Sequence, residues 1–356
     1  MSNGLYLHIP FCAHKCAYCG FFSQIRTPAV RQQYVDMLQK QLHQATLQNL
    51  STIYIGGGTP SLLTQAQVRA IFACLPAAQE VTFEVNPEHV TPDYIKNLLA
   101  CGVNRISMGV QSFCTQELQA LGRRATIDKC KQAMDIIRQA GVQNLSIDLM
   151  LATPQQTAQS LKQTLQTVLA YRPQHVSAYL LKVEPHSIYG KTNVQEAGEE
   201  QQADRYLQAA HFLADHGYEH YEISNFALPG YRARHNSAYW TGQSYLAFGA
   251  GAFGFDGCTR YHYDKNIDRY IRAPQRIIDE ASVDKKAEQL LLRIRTADGL
   301  EDLNAEQTAF LQTLQQAGLA AKTARGYRLT PSGWLVCNPI LLKLMELMYG
   351  NEHFFP

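Results

Sequence analysis

Tyr6-Leu-His-Ile-Pro-Phe-Cys12-Ala-His-Lys-Cys16-Ala-Tyr18-Cys19 places three thiols on one short loop, directly behind an alternating apolar run. The C-x3-C-x2-C spacing lets a single loop direct three thiolates at three irons of one cubic iron–sulfur cluster, leaving a fourth iron without a protein ligand. Plainer readings of the same spacing are a zinc site, a disulfide pair, or cysteines that only pack. Zinc sites usually bring four ligands, and although His14 lies inside the loop, no second C-x2-C or H-x3-H pair is nearby.

Outward from this loop the chain alternates. Residues 5–9 read as a strand, and Pro10 turns the chain into the cysteines. Residues 30–48 have helical spacing, and 52–55 form a β-rich run closed by Gly56, Gly57 and Gly58. The unit recurs as helix 65–75, strand 81–85, a helix opened by Thr91-Pro92-Asp93, and strand 105–110. Helix 126–140, strand 145–150, helix 157–170, strand 175–181, helix 199–216 and the run 220–223 complete it. Alternation of this kind predicts parallel pairing with right-handed crossovers, in either an open doubly wound sheet or a (β/α) barrel. Periodicity does not choose between them, since about six units are visible where a full barrel has eight. In both folds polar residues at strand C-termini converge on one face, where ligands bind.

An open iron on a three-thiol cluster takes a small chelating molecule, and S-adenosylmethionine is the best-known one. The cysteine triad with Tyr18, followed by Gly56-Gly57-Gly58-Thr59-Pro60, resembles the radical-SAM superfamily. Within it the sequence is similar to the oxygen-independent coproporphyrinogen III dehydrogenase group, most closely to its haem-chaperone branch, as far as Arg328-Leu329-Thr330-Pro331-Ser332-Gly333-Trp334. The resemblance implies an α/β fold, a partial (β/α)6 barrel over residues 1–225. A connector over 226–274 and a small winged-helix-like domain over 275–356 follow.

It also implies a [4Fe-4S] cluster on Cys12, Cys16 and Cys19. Gly57, Gly58 and Thr59 would face the amino group of S-adenosylmethionine, and Glu84 its ribose hydroxyls. Gln111, Arg123 and Asp148 would wall the ribose and carboxylate, with the Arg123 guanidinium suited to the carboxylate by its fork geometry. Tyr6 and Tyr18 would flank the methionine portion and adenine. Read without the resemblance, a glycine triplet is as well explained by a turn, Glu84 by a solvated strand end, and the tyrosines by core packing.

Several positions depart from the dehydrogenases. Phe21 stands where those relatives carry a further cysteine, and eleven residues precede Cys12, leaving no room for their N-terminal extension. Thr153-Pro154-Gln155-Gln156 replaces a Gly-Leu-Pro-Gly-Gln type loop, and Gly249-Ala250-Gly251-Ala252 a Gly-Pro-Gly-Ala one. His235-Asn236-Ser237-Ala238-Tyr239-Trp240 matches the H-N-x-x-Y-W motif of the haem-chaperone branch. A neutral imidazole ligates haem iron, and Tyr239 and Trp240 offer flat faces to a macrocycle. The plainer reading of His235 is a packed, hydrogen-bonded histidine. The branch implies haem as a third bound group and acceptor haem proteins as partners, including membrane-bound respiratory ones. The alternative is a radical-SAM enzyme acting on a porphyrinogen or another tetrapyrrole.

Composition narrows the classes. The 32 basic and 30 acidic side chains nearly cancel, leaving no global field for nucleic acid, and no basic helix precedes the expected wing. No run of 18 apolar residues suggests a membrane span, and the N-terminus lacks a signal-peptide pattern, so a cytoplasmic location is expected. Nine cysteines, three of them clustered, fit reduced thiols better than a disulfide framework.

Overall fold

The computed structural model describes residues 4–350. Strands β1 (Gly4–Ile9), β2 (Thr52–Gly57), β3 (Glu80–Val85), β4 (Arg105–Gln111), β5 (Leu145–Leu151) and β6 (His175–Leu180) lie side by side in chain order, every neighbouring pair parallel. Crossover helices join them. Helices Pro28–Gln44, Gln65–Phe72, Pro92–Ala100, Ile127–Gln139 and Ala158–Ala170 each start behind a threonine, at 27, 64, 91, 126 and 157. In each the hydroxyl accepts an otherwise orphaned N–H of the first turn.

Pleating divides the strands sharply. Leu5, Leu7 and Ile9, Ile53 and Ile55, Val81 and Phe83, Ile106 and Met108, Leu145 and Ile147 all enter one buried apolar core against the helices. The alternate positions carry Tyr6 and His8, Tyr54, Glu84, Arg105 and Ser107, Asp148, Ser177 and Tyr179, so the concave face of the sheet is polar. Burying aliphatic side chains at about 25 cal/mol per Å² drives the helix-facing layer. The inner face contributes hydrogen bonds instead, among them Tyr54 to Glu84 and Ser107 to Asp148.

The strands beyond β6 differ from the expected alternation. The run expected to extend the parallel series is β7 (Glu219–Glu222), which pairs antiparallel with β8 (Asn225–Ala227), itself antiparallel to β6. Only Ile223 and Ser224 separate β7 from β8, a link that suffices for a hairpin but is far too short for a parallel crossover. The chain then crosses to the other edge. Strand β9 (Tyr245–Phe248) pairs parallel with β1, and β10 (Phe253–Phe255), β11 (Arg260–Tyr263) and β12 (Arg276–Glu280) continue outward antiparallel, giving a 12-stranded sheet. The Tyr34 hydroxyl locks this return: it donates to the carbonyl of His8 at 2.8 Å and accepts from the amide of Ala250 at 3.0 Å.

Helices Lys285–Arg293, Ala305–Gln316 and Cys337–Tyr349, with the hairpin of β13 (Ala320–Lys322) and β14 (Tyr327–Leu329), enclose a second apolar core around Leu290, Leu311, Trp334 and Leu344. Among the described residues no helix is long and apolar enough to cross a membrane.

Candidate cofactor site in the barrel

The cysteine loop, the turn after β2 and the C-terminal ends of β3 to β5 enclose a cavity of about 250 Å³. Cys12, Cys16, Cys19, Tyr18, Gly57, Gly58, Thr59, Glu84, Gln111, Arg123 and Asp148 all line it. Eleven of the thirteen positions expected from sequence thus meet in one place.

All three cysteines are free thiols and partly exposed. The Cys12 thiol donates to the Ser23 hydroxyl at 3.3 Å and lies 3.4 Å from Thr59 Oγ1. Arg123 reaches toward the Cys16 sulfur at 3.7 Å while also donating to the carbonyl of Gly109 and to Asn86. A guanidinium beside a sulfur is a ready counter-charge for thiolate. Among the described residues no three His, Cys, Asp or Glu side chains converge tightly enough for a single ion. The thiols instead line the wall of a cavity. Three soft sulfur donors around such a space suit an iron–sulfur cluster, a donor set that matches the sequence reading.

The glycine turn is shaped by close contacts. Gly57 has φ of +116°, and a Cβ there would lie 2.7 Å from the His8 ring; a Cβ on Gly58 would lie 2.6 Å from the Phe11 carbonyl oxygen. The Gly57 amide donates to Glu84 at 3.1 Å, and the Tyr54 hydroxyl donates to the same carboxylate at 2.7 Å. Burial pushes Glu84 up to about 7 against these two bonds, and the neighbouring Asp148 adds to the rise. Burial also raises Asp148, opposed by Ser177 and Ser107. Gln111 sits at a β-bulge with φ of +75°, a left-handed conformation that turns the strand end over the cavity. Loop 151–156 likewise enters the left-handed region at Ala152 and Gln155 without glycine, braced by Gln156, which accepts from the Ala152 amide at 2.7 Å and donates to Glu117 and Met150.

Two expected residues lie elsewhere. Tyr6 lines neither this cavity nor its neighbour; its hydroxyl bonds His8 Nδ1 at 2.8 Å inside the barrel wall. His235 is almost fully buried, with Nδ1 2.8 Å from Thr52 Oγ1 and Nε2 2.7 Å from the Tyr239 hydroxyl. Burial holds its imidazole neutral, down to about 3. A neutral ring has one lone pair, and here a hydroxyl already occupies each nitrogen. As folded, His235 ties helix Arg234–Trp240 to β2, and the iron-ligand role expected for it has no open coordination face.

Sequence reading missed the second cavity, about 520 Å³, which continues from the first inside the barrel. The two share Tyr18, Cys19, Phe21, Glu84, Ser107, Gln111 and Asp148. Tyr54, Arg105, Ser177, Tyr179 and Asn236 complete its inner wall. Their signal was the polar residue at every second position of otherwise apolar strands, as in Arg105-Ile-Ser107-Met-Gly109-Val-Gln111.

The model of the radical SAM superfamily matches residues 6–168. The heme chaperone HemW of Lactococcus lactis is 35% identical over 315 residues, covering 84% of this chain and 83% of that protein. HemW of Bacillus subtilis is 30% identical, covering 94% of this chain and 97% of its own length. Coproporphyrinogen III oxidase (HemN) from Escherichia coli superimposes with a TM-score of 0.79 over 96% of this chain and 90% of that one; at 23% identity the likeness is one of fold. The radical SAM match implies an iron–sulfur cluster and S-adenosylmethionine as bound groups, and three thiols line the cavity. From the extent and identity of these alignments, the chain belongs to the HemW heme chaperone family within the radical SAM superfamily.

Proposed function

We propose that this protein is a cytoplasmic haem chaperone that binds a [4Fe-4S] cluster, S-adenosylmethionine and haem, and passes haem to acceptor haem proteins. The observation that carries the reading is the continuity of the two cavities: a thiol-lined one, and a larger one beneath it bordered by Asn236 of the H-N-x-x-Y-W motif.

Cys12, Cys16 and Cys19 hold the cluster, which with S-adenosylmethionine supplies one-electron chemistry when reduced. Arg123 takes the carboxylate of S-adenosylmethionine through its planar fork. Glu84 and Asp148 accept from ribose hydroxyls, a task for the ionised forms, and the amide edge of Gly57-Gly58 admits the ligand where no side chain intrudes. Gln111 and Tyr18 close the wall. His235 organises the motif from behind, so that Asn236 is presented to the inner chamber.

Anaerobic reconstitution followed by titration with S-adenosylmethionine and then haem tests the reading. Stoichiometric haem uptake with transfer to an apo-acceptor, and no turnover, supports it. Substrate-dependent release of 5′-deoxyadenosine with conversion of a porphyrinogen would replace it with the enzyme reading. A preparation that loads zinc instead of iron would overturn both.

A further inference from the structure

Arg105 is the largest fully buried side chain among the described residues, 1% exposed, yet it faces the inner chamber. Its Nε has no hydrogen-bond partner, and none of the ion pairs among the described residues includes it. The carboxylates nearest in the barrel are already engaged, Glu84 with Tyr54 and Gly57, and Asp148 with Ser107 and Ser177. Two further neighbours, His175 and His235, are held neutral by burial, with the Arg105 charge reinforcing the effect. A buried cation without a directly bonded anion is expensive to keep, and a guanidinium fork matches a carboxylate in geometry as well as charge. The chamber around it combines that buried cation with flat or apolar side chains, Tyr54, Met150, Tyr179, Leu180 and, at the mouth, Phe21. At about 520 Å³ it falls in the range of small-molecule sites.

We propose that Arg105 anchors a carboxylate of the molecule carried in this inner chamber, and that the carboxylate is a propionate of haem. The inference rests on the haem-chaperone reading, which supplies a flat apolar ligand bearing two propionates. No iron ligation is involved. Arg105 acts on the periphery of the macrocycle, and the fork fixes which edge of the ring enters the barrel.

The test uses the full chain with its cluster reconstituted, titrated with haem and with haem dimethyl ester, in which both propionates are blocked. Arg105→Met keeps the length of the side chain but removes the charge, and Arg105→Lys keeps the charge but not the fork. Wild-type protein is expected to bind haem roughly tenfold or more tightly than its ester, the worth of a charge-assisted bidentate pair. Arg105→Met should lose that preference by weakening the acid and leaving the ester unchanged, with Arg105→Lys between. If Arg105→Met fails to fold, the acid-to-ester ratio on wild-type protein decides alone. Equal binding of acid and ester by the wild type overturns the propionate assignment while leaving the chaperone reading intact. Absence of haem binding by the wild type overturns both. A second equivalent of S-adenosylmethionine, lost in Arg105→Met, would assign the site to that molecule's carboxylate and overturn the haem propionate.

Discussion

Tyr54 donates its hydroxyl proton to Glu84 across adjacent parallel strands, at 2.7 Å, in a part of the barrel where burial has already pushed the carboxyl up to about 7. The folded protein therefore retains a proton that the unfolded chain gives up near the ordinary glutamate value of 4.5. Its stabilising contribution is complete at low pH and is lost as pH rises through about 7. Replacing Glu84 by Gln should remove this dependence. Denaturant midpoints of the ligand-free proteins measured at about pH 5 and about pH 8 should move in favour of the variant at the higher pH. Affinity for S-adenosylmethionine should do the opposite in the wild type, strengthening as Glu84 ionises. Tyr54→Phe removes a bond to the carboxylate and should shift that midpoint upward.

Cys12, Cys16 and Cys19 should be individually indispensable for the broad visible absorbance of the reconstituted cluster. Each Cys→Ser variant is expected to emerge colourless with iron near background, whereas Cys74→Ser and Cys258→Ser remain brown. A colourless Cys74→Ser protein would require a different ligand set.

His235 bridges Thr52 and Tyr239, so truncation strands two buried hydroxyls. His235→Ala should cost about 2–4 kcal/mol of unfolding free energy, read by chemical denaturation, and His235→Gln should recover part of it. At temperatures where the Gln variant is folded, haem uptake should persist. Its complete loss in a stable protein would restore direct ligation.

Gly57→Ala introduces a side chain at φ of +116° with its Cβ 2.7 Å from the His8 ring. The backbone strain alone is about 1–3 kcal/mol. Displacing the Gly57 amide from Glu84 should also weaken S-adenosylmethionine, measurable by calorimetry on the cluster-loaded protein.

The parallel core was legible because the strands are short with apolar residues at alternate positions, and each of the five crossover helices between them opens on an N-capping threonine; local chemistry and global topology agree at these places. That the cofactor-wall residues would line one cavity was legible through the cysteine spacing and the family likeness, whereas the left-handed turns at Gly57 and Gln111 were not. The return of the chain to β1 was not legible. Strand β9 acquires its place from a contact between Tyr34 and Ala250, and nothing local in Tyr245-Leu-Ala-Phe248 says which edge it joins. The inner chamber was missed for another reason. Tyr54, Arg105 and Ser177 look like solvated strand positions until the sheet curves and encloses them. His235 shows the converse, a motif residue whose chemistry permits ligation while its packed neighbours already occupy the ring.

Because most apolar side chains of the parallel strands turn outward to the helices, the hollow they surround carries little of the apolar packing that keeps the chain folded. Residues there are free to be chosen for cargo. A lineage could exchange one passenger molecule for another by rewriting a few inward positions, with the supporting shell untouched.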